Sequence, residues 1–269
     1  MEEKILKEVY ESLRRGERVA LATITDSSGS APRKSGSTMA VWKDGRILGS
    51  VGGGIVEHKV ILKTIECIKK LESANFEYVL SEKGGLDAQC GGEIKGFIKV
   101  FNPSPKLLIA GAGHIGQQLH KLGKILGFYT VIFDDREELV NSTVFDDADE
   151  IVIGNIGDTL AKYEVTENTY ITIVTKGHRS DSDALMASVS RKAAYVGMIG
   201  STKKILFIMQ NLINAGVPKE DLQKVYSPMG LNIASEKPEE IALGILSEIL
   251  LIRNKGSLDH MKNLKRINI

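Results

Sequence analysis

The chain has 269 residues, enough for one large domain or two modest ones with a substantial core. Its 35 Lys and Arg nearly balance 34 Asp and Glu, and aromatic residues make up 6% of the composition. No global field therefore favours nucleic acid or an anionic membrane, and a stacking platform for single strands is disfavoured, which leaves small ligands and protein partners.

The charged opening MEEKILKEVYESLRRGE lacks the apolar core of a signal peptide, and no later run is long enough to cross a bilayer, so a cytoplasmic location is expected. Ile5, Leu6, Val9, Tyr10 and Leu13 fall at helical spacing and predict an amphipathic first helix ended by Gly16. Residues 18–25 read as a strand, and residues 26–37, DSSGSAPRKSGS, as a polar loop. Strands at 38–42 and 46–48 flank Asp44-Gly45, a hairpin signal. A glycine cluster, Gly49 to Gly54, opens a helix over 55–71, and strands follow at 76–80 and 94–101. Asn102-Pro103-Ser104-Pro105 removes two backbone donors and marks a linker. Domains 1–103 and 104–269 are expected on that basis.

Beyond the linker, strands near 107–110, 129–133, 150–153, 170–175 and 195–199 alternate with helical segments, and a last helix runs over 238–253. The fold class is α/β: an N-terminal α+β domain, then a Rossmann-like domain with a mainly parallel sheet. The apolar run Leu107–Ala110 meets Gly111-Ala112-Gly113-His114-Ile115-Gly116 and leads through a helix to a second strand ending in Asp134. That is the order of a dinucleotide-binding unit. Gly111 permits the tight turn, Gly113 lets a pyrophosphate approach, and Gly116 lets the helix lie close on the strand. A free acid at Asp134 predicts a ribose 2′-hydroxyl partner, hence NAD over NADP.

Several other groups could carry chemistry. Ser30 and Arg33 lie in a loop of hydroxyls, glycines and cations, where a guanidinium can fork onto a phosphate or carboxylate. Gly52, Gly53 and Gly54 at a helix N-terminus form an anion cradle in sequence logic, without the Gly-Lys-Ser/Thr ending of a nucleotide-hydrolysing loop. Cys67 shares an apolar helical stripe and reads as a buried thiol, whereas Cys90, beside Gly91-Gly92, is a candidate thiolate near a metal. His114 sits inside the glycine turn. His178 follows a strand end and is a candidate acid-base group, with Asp181 expected to cap the next helix. Ser227-Pro228-Met229-Gly230-Leu231 is a turn that could close over the site or simply connect helices.

The segments GSAPRKSGSTMAV, GSVGGGIVE, QCGGEIKGFIKVF, LLIAGAGHIG, TKGHRSDSDAL, YVGMIGSTKK and SPMGLNIASEKPEEIALGILSEIL, in this order, resemble the xanthine dehydrogenase accessory factor family, XdhC/CoxI, over essentially the whole chain. The resemblance implies a maturation factor rather than an enzyme. Such a factor binds a molybdopterin-type molybdenum cofactor and assists its sulfurated form into xanthine dehydrogenase or a related molybdenum hydroxylase. It also implies that Ser30, Arg33, Gly52, Gly53 and Gly54 hold the anionic end of the cofactor and that Cys90 lies near molybdenum. NAD(P) or a related nucleotide is expected on the second domain. Further expected partners are a cysteine desulfurase and a second copy of the chain. The family's glycine cluster is typically followed by cysteine, and here that position is Ile55, so a thiol pair with Cys90 cannot operate. The competing readings are an NAD(P)-dependent oxidoreductase using His178 and a nucleotide-sensing regulatory module.

Overall fold

A computed structural model describes residues 1–29, 35–80, 92–141 and 143–264. The chain forms two compact units, Met1–Ser104 and Pro105–Ile269. The first is α+β and the second Rossmann-like with a parallel sheet, the fold class that the sequence predicts.

In the first unit the order is α1 (Glu2–Arg14), β1 (Val19–Gly29), β2 (Thr38–Trp42), β3 (Ile47–Gly49), α2 (Gly54–Lys70), β4 (Ala74–Leu80) and β5 (Gly92–Phe101). The strands form one antiparallel sheet in the order β3-β2-β1-β5-β4. Alternation of side chains along each strand sends Ala20, Ala22, Met39, Val41 and Ile98 to the face covered by Val56, Val60 and Ile68 of α2. The opposite set, Val19, Ala40 and Trp42, meets Ile5 and Val9 of α1. Each such large aliphatic group contributes about 1.5–3 kcal/mol by burial.

β1 extends past the predicted end at residue 25, because Asp26–Gly29 pair with Gly92–Lys95 of β5 after a register shift. The ladder satisfies backbone groups whose polar side chains give no strand signal. At the hairpin, Gly45 takes φ +88°, and Arg46 N–H donates to Asp44 Oδ1 (3.0 Å). These contacts explain the preference for Asp-Gly there.

The second unit runs β6 (Lys106–Ala110), α3 (His114–Ile125), β7 (Tyr129–Asp134), α4 (Glu137–Val140), β8 (Glu150–Ile153), α5 (Ile156–Lys162), β9 (Thr169–Ile173), α6 (His178–Ser188), β10 (Tyr195–Met198), α7 (Thr202–Asn214), α8 (Lys219–Leu222) and α9 (Pro238–Arg253). Its parallel sheet has the order β10-β9-β6-β7-β8. The chain leaves β6 toward β7 and β8, then returns to lay β9 on the other side of β6. The direction of winding therefore reverses between β6 and β9, which opens a crevice at the carboxyl ends of those strands. Both faces are covered: Leu108, Val131 and Ile171 pack with α5, α6 and α7, and Leu107, Ile109 and Ile132 with α3 and α9. Among the described residues no helix is long and apolar enough to cross a membrane.

Trp42, the chain's only tryptophan, is buried, and its Nε1–H donates to Ser12 Oγ (2.9 Å). Replacing Ser12 with Ala strands that donor and should lower the unfolding free energy by about 1–3 kcal/mol. The measurement is a urea titration followed by Trp42 fluorescence. An unchanged midpoint would show that the bond contributes nothing net.

Candidate functional site

The glycine turn of the first unit is built on three consecutive positive backbone angles, φ +139° at Gly52, +75° at Gly53 and +61° at Gly54. Side-chain-bearing residues rarely hold such a run. The amides it turns inward already hold an anion. Glu57 reaches back from the first turn of α2, and its Oε2 accepts from Ser50 Oγ (2.5 Å), Val51 N (3.0 Å) and Gly53 N (3.2 Å). Burial pushes the Glu57 carboxyl up, but the Ser50 hydroxyl and the backbone amides outweigh that and hold it below the usual range.

The cradle expected to grip an external anion is thus occupied by the protein's own carboxylate. Among the described residues, a Cβ built at Gly53 or Gly54 meets nothing within 4 Å. The turn offers an uncrowded backbone face rather than a vacant amide nest. Ser30, Arg33 and Cys90 lie outside the described residues. Cys67 is buried, as its stripe predicts, and burial raises its thiol pKa. Among the described residues no three His, Cys, Asp or Glu side chains cluster to hold a metal ion.

In the second unit the three fingerprint glycines have separable reasons. Gly111 takes φ +122°, and a Cβ there would lie 2.6 Å from the Val174 carbonyl oxygen. At Gly116 a Cβ would lie 1.9 Å from the Gly111 carbonyl oxygen, so the start of α3 and the end of β6 touch through backbone. Gly113 differs, because its φ is −70° and a Cβ there meets nothing within 4 Å. Among the described residues nothing demands glycine at 113, whereas a pyrophosphate lying against the turn would. His114 is the exposed first residue of α3.

Asp134 ends β7 as predicted, but it is not free. Its side chain is fully buried, and its two oxygens accept four hydrogen bonds. These come from Ala112 N (2.6 Å), Arg136 N (3.0 Å), Arg136 Nε (2.8 Å) and Arg136 Nη2 (2.7 Å). A carboxylate has about four lone-pair sites, so none is left for a ribose hydroxyl. Burial pushes Asp134 up, yet the Arg136 fork and the two amides hold its carboxyl below the usual range. The premise of the NAD preference, an open acid, does not hold in this geometry.

A cleft of about 250 Å³ opens beside this pair. It is lined by Asp135 and Arg136 after β7, Ile156 at the start of α5, Thr175 and Lys176 between β9 and α6, and Ser180 in the first turn of α6. His178 is not among the lining residues; it is exposed, with its ring edge-on to Phe207 at 6.4 Å between centroids. Asp181 does not cap α6, whose N-cap is Gly177. Instead it is buried, accepts from Thr175 Oγ1 (2.7 Å) and forms an ion pair with Lys204 Nζ, which braces the cleft wall. The 227–231 turn is pinned rather than free to close: Met229 N–H donates to Met198 O (3.2 Å) and Gly230 N–H to Glu248 Oε2 (2.9 Å). Arg136 is the residue that sequence reasoning missed. An arginine two positions past a strand-end acid was the available signal.

Two family models match this chain: the XdhC Rossmann domain over residues 107–249 and the XdhC and CoxI family over residues 12–79. The chain belongs to the XdhC and CoxI family. It is 31% identical over 240 residues to the Escherichia coli protein YqeB, covering 88% of this chain and 44% of YqeB, so it spans less than half of that relative. It is 22% identical to a Bacillus subtilis protein named as a probable subunit of xanthine dehydrogenase, covering 89% of this chain and 94% of the relative. It is 21% identical to the molybdenum cofactor insertion chaperone PaoD of Escherichia coli, covering 93% and 88% respectively. A crystal structure described as a xanthine dehydrogenase from Bacillus halodurans shares the family fold, with a TM-score of 0.53 at 22% identity over 96% of this chain and 98% of that one.

Two outcomes follow from the glycine geometry and from Glu57. Gly116→Ala forces backbone apart and should cost about 3 kcal/mol or more, whereas Gly113→Ala, at an N-cap with open space, should cost about 1 kcal/mol or less. Equal melting temperatures for the two variants would contradict the assignment. Because the folded pKa of Glu57 is depressed, its contribution is complete above the ordinary glutamate value and is lost as pH falls through the folded one. The stability gap between the unaltered chain and Glu57→Gln, measured by denaturant titration, should therefore shrink on acidification across that window. A gap independent of pH would show that the carboxylate charge is not what the turn holds.

Proposed function

We propose that this chain is a molybdoenzyme maturation factor: it holds the molybdenum cofactor on its first unit, binds a nucleotide on its second, and passes the sulfurated cofactor to xanthine dehydrogenase or a related molybdenum hydroxylase. The observation that carries the reading is family membership in both units, together with the similarity to a relative named as a molybdenum cofactor insertion chaperone. The open faces of Gly53 and Gly54 support close approach of a flat pterin ring. Because Glu57 fills the amide nest, the anionic end of the cofactor falls to Ser30 and Arg33, with Cys90 toward the metal. When bound, the cofactor supplies the Mo=S chemistry for its client, and this chain holds and shelters it. A cysteine desulfurase as sulfur source and a homodimer belong to the same proposal, as does a cytoplasmic location.

The nucleotide part is supported by Gly113, where among the described residues a Cβ would meet nothing within 4 Å and a pyrophosphate could lie against the turn. The oxidoreductase alternative needs an acid-base group on the cleft, and His178 is not among the lining residues.

The test is to incubate the purified full chain with molybdenum cofactor, separate free from bound pterin by gel filtration, and add an apo molybdenum hydroxylase. Retained pterin and faster reconstitution are expected, with Arg33→Ala and Cys90→Ala lowering retention. No retained pterin and unaltered reconstitution would refute the proposal. Turnover of NAD(P)H with a small carbonyl compound would favour the oxidoreductase.

A further inference from the structure

Position 136 changes what the second unit's cleft can recognise. Asp134, the residue expected to take a ribose hydroxyl, has every acceptor position filled, mostly by Arg136. Two of the five guanidinium N–H donors are spent on that carboxylate through Nε and Nη2, and the others remain on a side chain that is 32% exposed and lines the cleft. Across from it stand Lys176, which is exposed and makes no ion pair among the described residues, and the hydroxyl of Ser180. The lining is rich in donors, and the buried Asp134 behind Arg136 has its acceptor positions filled.

We propose that this cleft selects a ribose carrying a 2′-phosphate, and so an NADP(H)-type over an NAD(H)-type nucleotide. The inference rests on the nucleotide reading above and specifies its ligand. A phosphate brings several strong acceptor oxygens and no obligatory donor, which complements the guanidinium, the ammonium and the hydroxyl; a guanidinium fork suits it in particular. A free 2′-hydroxyl brings a donor that Asp134 cannot accept. Asp135, 63% exposed at the cleft, is the one carboxylate among the described lining residues. Counting Asp134, Asp135, Arg136 and Lys176 together, the charges balance. Selection therefore comes from the directed donors rather than from a net positive field.

The experiment measures binding of NADPH and NADH to the full chain by nucleotide fluorescence, with 2′,5′-ADP and 5′-ADP as calorimetric probes of the adenosine end. NADPH should bind about tenfold more tightly than NADH, or better, and 2′,5′-ADP should outbind 5′-ADP by a similar factor. Lys176→Ala, at an exposed position, should lower NADPH affinity and leave NADH nearly unchanged. Arg136→Ala should do more: it weakens NADPH and, by releasing Asp134, strengthens NADH, a reversal that mere structural damage would not produce. NADH binding as tightly as NADPH to the unaltered chain would overturn the inference and leave the nucleotide reading standing. A preference for NADPH that survives both substitutions would also overturn it. If neither dinucleotide binds, the nucleotide reading fails, and the inference fails with it.

Discussion

Both units depend on the same interaction: a carboxylate from the chain itself accepts backbone amides of a glycine-rich turn. In the first, Glu57 gathers Ser50 Oγ and the amides of Val51 and Gly53 around three glycines at positive φ. In the second, Asp134 at the end of β7 accepts Ala112 N from the turn that follows β6, tying neighbouring strand ends together. Glycine-rich turns lose much conformational entropy on folding, and charge-assisted hydrogen bonds offset part of that cost. Each carboxylate also satisfies donors that would otherwise point at nothing, or at whatever anion was nearby. The turns are therefore preorganised, and the amides of Val51, Gly53 and Ala112 are unavailable to a ligand.

That constraint shapes the functional account. What the turns offer is bare backbone at Gly53, Gly54 and Gly113, where among the described residues a Cβ would meet nothing within 4 Å. Flat or extended groups fit such surfaces, and specificity is left to the residues around them. In the second unit those residues flank the reversal of winding between β6 and β9, where the parallel sheet opens its crevice. The wall there is firm, because Asp181 is held between Thr175 and Lys204 and the 227–231 turn is bonded to β10 and α9. Such rigidity suits a protein that holds a nucleotide more than one that must close over a reacting substrate.

The architecture was legible in the sequence because it rests on periodic signals: alternation in the strands, helical stripes such as Ile5 and Val9, and the glycine fingerprint after an apolar strand. Ladder pairing overrode the polar composition of residues 26–29, which therefore read as loop. The site was less legible. Its glycines were found, but the occupants of their amides were not, because those bonds depend on where a side chain several or many residues away folds back. Asp134 read as an open acid since nothing in a one-dimensional pattern says that Arg136 will turn onto it. His178 read as a site group from its place after β9, yet its ring turns to Phe207.

The proposed division of labour puts the molybdenum cofactor on Met1–Ser104 and a nucleotide on Pro105–Ile269. Amide hydrogen exchange on the intact chain, read segment by segment with each ligand added separately, addresses it directly. The molybdenum cofactor should slow exchange around residues 50–57 and leave residues 111–117 unchanged, while the dinucleotide should protect residues 111–117 and 175–180. Protection of the Gly111–Gly116 turn by the molybdenum cofactor, with no change in the first unit, would contradict the account.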